Sequence, residues 1–142
     1  MNDNNAEPRI VAFLCHWGTY TGADLAGTTR QQYPVGIRII RLMCSGALDV
    51  VYVLKALLDG ADAVFIGGCH PGDCHYQTGN LKARRRVALL RNIMETLGLD
   101  KDRVRLRWIS ASEGRLFAET VREYTADLES MGTNPLAGEW DL

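Results

Sequence analysis

Neither sign of charge predominates in this sequence: 16 lysines and arginines stand against 17 aspartates and glutamates in 142 residues, a net charge of -1. Such a balance offers no general attraction to phosphate backbones or anionic lipid, so nucleic acid is not an expected partner. No apolar run approaches the roughly 20 residues needed to cross a bilayer. The start, Met1 to Pro8, is polar and acidic where a secretory signal would be basic and then apolar. A cytoplasmic protein without a membrane segment is expected. No Gly-x-Gly-x-x-Gly fingerprint follows the first apolar run, and Gly22 to Thr29 lacks the lysine that reaches phosphates in a nucleotide loop. Dinucleotide binding and nucleotide hydrolysis are therefore set aside. The chain also has no Cys-x2-Cys pair, no internal repeat, no low-complexity tract and no domain linker.

What is present is an ordinary globular composition, 46% hydrophobic, in a length that fits one domain. A chain of this size buries roughly 70% of the surface its unfolded form exposes, so no metal is needed simply to make it fold. Strand-like apolar runs occur at Ile10 to Cys15, Ile37 to Cys44, Ala61 to Gly67 and Val104 to Ile109, each followed by a helical segment. The first helix is expected around Ala23 to Gln32. The second spans Asp49 to Leu58, with Val50, Val53, Leu54, Leu57 and Leu58 on one face. The third runs from Gly79 to Leu97 on an apolar stripe of Ala83, Val87, Leu90, Met94 and Leu97, with Gly98 placed to end it. The fourth covers Glu113 to Ser130, where Ser110 and Glu113 have capping-box spacing.

This alternation predicts an α/β domain over residues 1–132, with a four-stranded parallel sheet between two helical layers and an irregular tail at 133–142. The first and third runs are almost continuously apolar, as central strands should be, whereas the second and fourth carry Arg38, Arg41, Arg105 and Arg107. Charged strands belong at edges. The predicted order is therefore 2-1-3-4, the flavodoxin-like arrangement, whose ligand crevice opens between strands 1 and 3 at their carboxyl ends.

Cys15 ends the first strand, Cys44 ends the second, Cys69 closely follows the third, and Cys74 lies in the same loop as Cys69. Adjacent strands lie about 4.8 Å apart, so Cys15 is expected between Cys44 and Cys69. Any one of these cysteines alone is more often a small packed hydrophobe. Four at one edge of a sheet, in a reducing compartment, point to shared ligation instead of disulfides. Four thiolates can hold zinc, a 2Fe-2S cluster or a 4Fe-4S cluster, and spacing alone does not choose among them. The glycine-rich loop Gly67 to Cys74 can fold closely around an inorganic core and direct amide hydrogens at sulfur. His16, His70 and His75 each follow a cysteine and are expected to neighbour the ligands more often than to replace them. The Arg84-Arg85-Arg86 run reads as the solvated side of its helix, or a surface for an acidic partner, and Trp140 as a tail residue or an anchor to another subunit.

The motifs Cys15-His16-Trp17, Tyr20-x-Gly22-Ala23-Asp24, Arg38-Ile39-Ile40-Arg41-x-Met43-Cys44-Ser45-Gly46 and Gly67-Gly68-Cys69-His70-x-Gly72-Asp73-Cys74-His75-Tyr76 are distributed along the chain. Together with Gly79-Asn80 and Trp108-Ile109-Ser110-Ala111-x-Glu113-Gly114, they resemble the delta subunit of methyl-viologen-reducing, or F420-non-reducing, hydrogenase over about Arg9 to Met131. The resemblance implies an electron carrier with a 2Fe-2S cluster, joining a nickel-iron hydrogenase or a formate dehydrogenase to the flavin-bearing A subunit of heterodisulfide reductase. Such complexes perform electron bifurcation in anaerobes, methanogens among them, and the carrier has no substrate of its own. Cys15, Cys44, Cys69 and Cys74 carry over as candidate ligands. Gly18 stands where many members of that family place a second cysteine. Two other functions compete: a structural zinc module using the same four cysteines, and a thiol oxidoreductase using Cys69 and Cys74.

Overall fold

A computed structural model describes residues 8–28, 36–74 and 76–135 of the chain. Four strands, β1 (Ile10–Cys15), β2 (Ile37–Leu42), β3 (Ala63–Gly68) and β4 (Val104–Trp108), alternate with four helices, α1 (Thr19–Thr28), α2 (Val50–Leu58), α3 (Gly79–Thr96) and α4 (Gly114–Met131). The strands form one parallel sheet in the order β2-β1-β3-β4, as the arginine pattern required.

The central strands divide their side chains between two cores, as a sheet covered on both faces demands. Ile10, Ala12, Leu14, Ala63 and Phe65 join Ala23 and Ala26 of α1 and Phe117, Val121, Tyr124 and Leu128 of α4. Phe13, Val64 and Ile66 join Val53 and Leu57 of α2 and Val87, Leu90 and Met94 of α3 on the other face. Leu97 departs from its predicted stripe: α3 ends at Thr96, Gly98 turns the chain at φ +83°, and the Leu97 side chain is exposed. The edge arginines are partly accommodated rather than simply solvated. Arg105 pairs with Asp127 at 2.7 Å and lies over the Tyr124 ring, while Arg41 lies over Tyr20.

Three boundaries differ by more than one residue from the sequence expectation, each for a physical reason. The second strand ends at Leu42, paired with Cys15, so Met43 and Cys44 belong to the following loop. The third begins at Ala63, because the Ala61 N–H closes α2 by donating to Ala56 while Asp62 N–H and Ala63 N–H both turn to the Arg9 carbonyl. The first helix begins at Thr19, four residues before Ala23; its predicted end, residues 29–32, lies outside the described residues. Its amphipathicity is weak, and close packing on α4 replaces it. A Cβ on Gly22 would stand 2.7 Å from the Ser110 carbonyl oxygen, and one on Gly114 would stand 2.8 Å from the Ala26 nitrogen. Gly22, one of the two glycines that imitated a nucleotide loop, and Gly114 thus let two helices and a strand end approach one another, whereas a Cβ on Gly27 would meet nothing.

The start of the predicted tail is docked. Buried Asn134 donates from its side chain to the Leu57 and Ala61 carbonyls, and its N–H donates to Asp62. Residues 136–142, Trp140 among them, lie outside the described residues. Among the described residues no helix is long and apolar enough to cross a membrane.

Candidate metal centre

In a parallel sheet every following helix starts at the carboxyl ends of the strands, so helix N-termini gather at that edge. The cysteines gather there too. Cys15 closes β1, Cys69 follows β3, and Cys44 and Cys74 arrive on the loops after β2 and β3. The four form one buried cluster, with Cys15 only 1% exposed and Cys44 and Cys74 9%.

Within that cluster the sulfurs stand as two pairs: Cys15 Sγ to Cys69 Sγ is 3.7 Å, and Cys44 Sγ to Cys74 Sγ is 3.9 Å. All four are free thiols. The expected flanking of Cys15 by Cys69 holds, but Cys44 faces Cys74 instead of Cys15. The reason is the early end of β2: Cys44 caps a short 3₁₀ turn, Ser45–Ala47, that carries it towards the start of α3. Among the described residues no three His, Cys, Asp or Glu side chains converge on one ion position. Two sulfurs bound to one tetrahedral metal at about 2.3 Å stand roughly 3.8 Å apart, so each pair has the spacing of half a ligand set.

Backbone packs tightly around both pairs. A Cβ on Gly79, the first residue of α3, would lie 2.1 Å from Cys44 Sγ and 3.5 Å from Cys74 Sγ. A Cβ on Gly18, just before α1, would lie 2.7 Å from Cys69 Sγ. The position at which the family resemblance leads one to expect a further cysteine therefore borders the cluster, but a side chain there would crowd Cys69. Thr78, which caps α3, makes no side-chain hydrogen bond to the helix, and the Leu81 N–H at that end is taken by the Asn80 side chain.

Charge at the first pair is uneven. The hydrogen bond from Cys69 favours the Cys15 thiolate, holding its pKa down to about 6 against the opposing effect of burial, and the N–H groups of Trp17, Ser45 and Gly18 add to it. Cys69 keeps the shared proton and is pushed up by that bond and by burial. Burial also raises the Cys44 thiol, although Gly46 N–H donates to its sulfur at 3.3 Å. Metal-binding thiols must lose these protons, and the nearby amides are what a dense set of thiolates needs.

Several supporting roles were not assigned by sequence reasoning. Fully buried Asn80 donates to the carbonyls of Cys69 and His70 at 3.0 and 3.1 Å, fixing the cysteine loop to α3. Its signal was a second poor helix former directly after Gly79. Buried Thr19 hydrogen-bonds through its hydroxyl to the Ile109 and Gly68 carbonyls at 2.9 and 3.2 Å, tying the ends of β3 and β4 together. Arg86 donates to the carbonyls of Gly46 and Leu48, bracing the loop that carries Cys44. Of the arginine run, Arg84 and Arg85 are exposed, but Arg86 is not simply part of a solvated face.

The histidines separate. His70 Nε2 lies 2.5 Å from Glu113 Oε1, and Ser110 N–H donates to the same oxygen, but the expected capping box is not completed: the Ser110 hydroxyl meets Ser112, and Glu113 itself caps α4. His16 packs against Trp17 and Tyr20. His75 lies outside the described residues. The thiol-exchange alternative would have Cys69 and Cys74 face each other; each instead faces a cysteine from another loop or strand end.

Comparison with known proteins gives the family and its relatives. The family described as FlpD, methyl-viologen-reducing hydrogenase, delta subunit, matches residues 10–132. The vhc iron-sulfur D subunit of an F420-non-reducing hydrogenase from Methanococcus voltae is 54% identical over 128 residues, covering 90% of this chain and 89% of its own. The iron-sulfur D subunit of the F420-non-reducing hydrogenase of Archaeoglobus profundus is 48% identical over 126 residues, covering 89% and 92%. A third relative is the A subunit of the ferredoxin/F420H2-dependent CoB-CoM heterodisulfide reductase of Methanosarcina acetivorans. It is 45% identical over 133 residues, which take up 94% of this chain and 16% of that longer protein.

Proposed function

Because the chain belongs to the methyl-viologen-reducing hydrogenase delta subunit family, we propose that it binds a 2Fe-2S cluster through Cys15, Cys44, Cys69 and Cys74 and relays single electrons. Its donor is a nickel-iron hydrogenase or a formate dehydrogenase, and its acceptor the flavin-bearing A subunit of heterodisulfide reductase, within an electron-bifurcating complex.

The observation that carries the cluster assignment is the pairing of the sulfurs, at 3.7 and 3.9 Å within pairs. A 2Fe-2S cluster takes two cysteines on each iron. A single zinc ion would need all four sulfurs around one point, and a 4Fe-4S cluster takes one cysteine per iron, which keeps its ligands apart. The relatives' names support an iron-sulfur cofactor, and the joining of a similar segment to the A subunit of a heterodisulfide reductase supports that partner.

When bound, the cluster supplies a one-electron couple. The chain's own residues do the rest. Burial of all four cysteines keeps bulk water from the sulfurs, and the N–H groups of Trp17, Gly18, Ser45 and Gly46 meet the charge of the thiolates. Asn80, Arg86 and Thr19 hold the three segments that bring the cysteines together, so little rearrangement accompanies a change of charge.

The relay is tested by mixing the loaded chain with hydrogenase under hydrogen and following its visible absorption. Bleaching that reverses when the oxidised heterodisulfide reductase partner is added is the expected result. Absorption that responds neither to hydrogenase with hydrogen nor to formate dehydrogenase with formate contradicts the relay.

A further inference from the structure

Ser45 is 1% exposed, and its hydroxyl oxygen has no hydrogen-bond partner among the described residues. Buried hydroxyls are rarely left this way, because water satisfied them before folding. The residue lies next to segments that carry three of the four cysteines. Ser45 directly follows Cys44, and its own N–H favours the Cys15 thiolate. Its Oγ lies 3.0 Å from where a Cβ of Gly68 would stand, and Gly68 immediately precedes Cys69. Thr19, the other buried hydroxyl at this edge, is already committed to the carbonyls of Ile109 and Gly68. Ser45 is thus a donor placed beside the cysteine cluster with no acceptor among the described residues to receive its proton.

We propose that the Ser45 hydroxyl donates a hydrogen bond to a sulfur of the bound cluster and so holds its reduction potential up. The inference rests on the reading of the four cysteines as ligands of an iron-sulfur cluster. Reduction adds one negative charge to the cluster, so a donor aimed at sulfur stabilises the reduced form more than the oxidised one. Ser45 acts through the cluster's environment as a positioning residue and holds no metal itself.

The test is an EPR-monitored redox titration of the purified, cluster-loaded chain beside its S45A and S45T variants. S45A is expected to keep its iron while its reduction equilibrium falls up to about tenfold, which is about 59 mV towards more negative potential for one electron. S45T, which keeps the hydroxyl, is expected to stay near the parent value. In the parent, exchange into deuterium oxide is expected to give a strongly coupled, fast-exchanging deuteron in the ENDOR spectrum. A fully loaded S45A with the parent potential overturns the proposal, and so does a parent spectrum without that deuteron, a measurement that needs no variant. Zinc in place of iron overturns the cluster reading itself, and the role of Ser45 with it.

Discussion

Substituting alanine for Gly79 separates holding a metal from holding the fold. The new Cβ would stand 2.1 Å from Cys44 Sγ, whereas non-bonded contact needs about 3.5 Å or more. The sulfur must therefore retreat by about 1.4 Å, while a metal ligand tolerates displacements of only about 0.2 Å. In the metal-free chain the cost is small, since Cys44 Sγ is the end of a short side chain that can rotate away. Gly79 has no left-handed backbone that alanine would strain. Alanine's helix preference is worth about 1 kcal/mol and offsets part of an overpacking cost of about 1–3 kcal/mol. The metal-free variant should unfold within about 2 kcal/mol of the parent, measured by circular dichroism in denaturant. After anaerobic reconstitution it should hold little iron or acid-labile sulfide and show little visible absorption. Full loading of G79A with a parent-like spectrum would refute the geometry on which the site rests.

Serine in place of Cys15, Cys44, Cys69 or Cys74 should lower iron content and leave most of the helical signal intact; an unchanged iron content removes that residue from the ligand set. Asn80→Ala leaves the buried Cys69 and His70 carbonyls without their shared donor, a loss of about 2 kcal/mol in chemical denaturation. A variant as stable as the parent would show that the loop is held by other means. The Ser110 N–H, followed by His70, holds the Glu113 carboxyl below its ordinary value of 4.5. Its folded-state pKa is depressed, so its stabilisation is present above the ordinary value and lost as pH falls through the lower folded value. E113Q should therefore flatten the acid limb of the stability profile, and an acid limb identical to the parent's would contradict that assignment.

The central strands were legible because burial on both faces leaves β1 and β3 almost continuously apolar, and the arginines of β2 and β4 placed those strands at the edges. The start of α1 was not, because Gly22, Ala23 and Ala26 are selected for close approach to α4 and leave a weak periodicity. That the cysteines share one end of the sheet followed from the β-α alternation. Which cysteine faces which did not. The apolar run continues through Met43 and Cys44, although the strand ladder stops at Leu42, and only the 3₁₀ turn brings Cys44 to Cys74. Arg86 shows the same limit: within a run of three arginines nothing local distinguishes the one that reaches back to Gly46 and Leu48. Long-range partners of this kind depend on loop paths that periodicity does not encode.

That two sulfur pairs hold two irons is tested most directly by EPR of the dithionite-reduced protein purified without oxygen, with iron and zinc measured on the same sample. A rhombic signal from one spin-one-half centre with about two irons per chain is the predicted result. Stoichiometric zinc with no such signal would contradict it and make the same four cysteines a structural clamp.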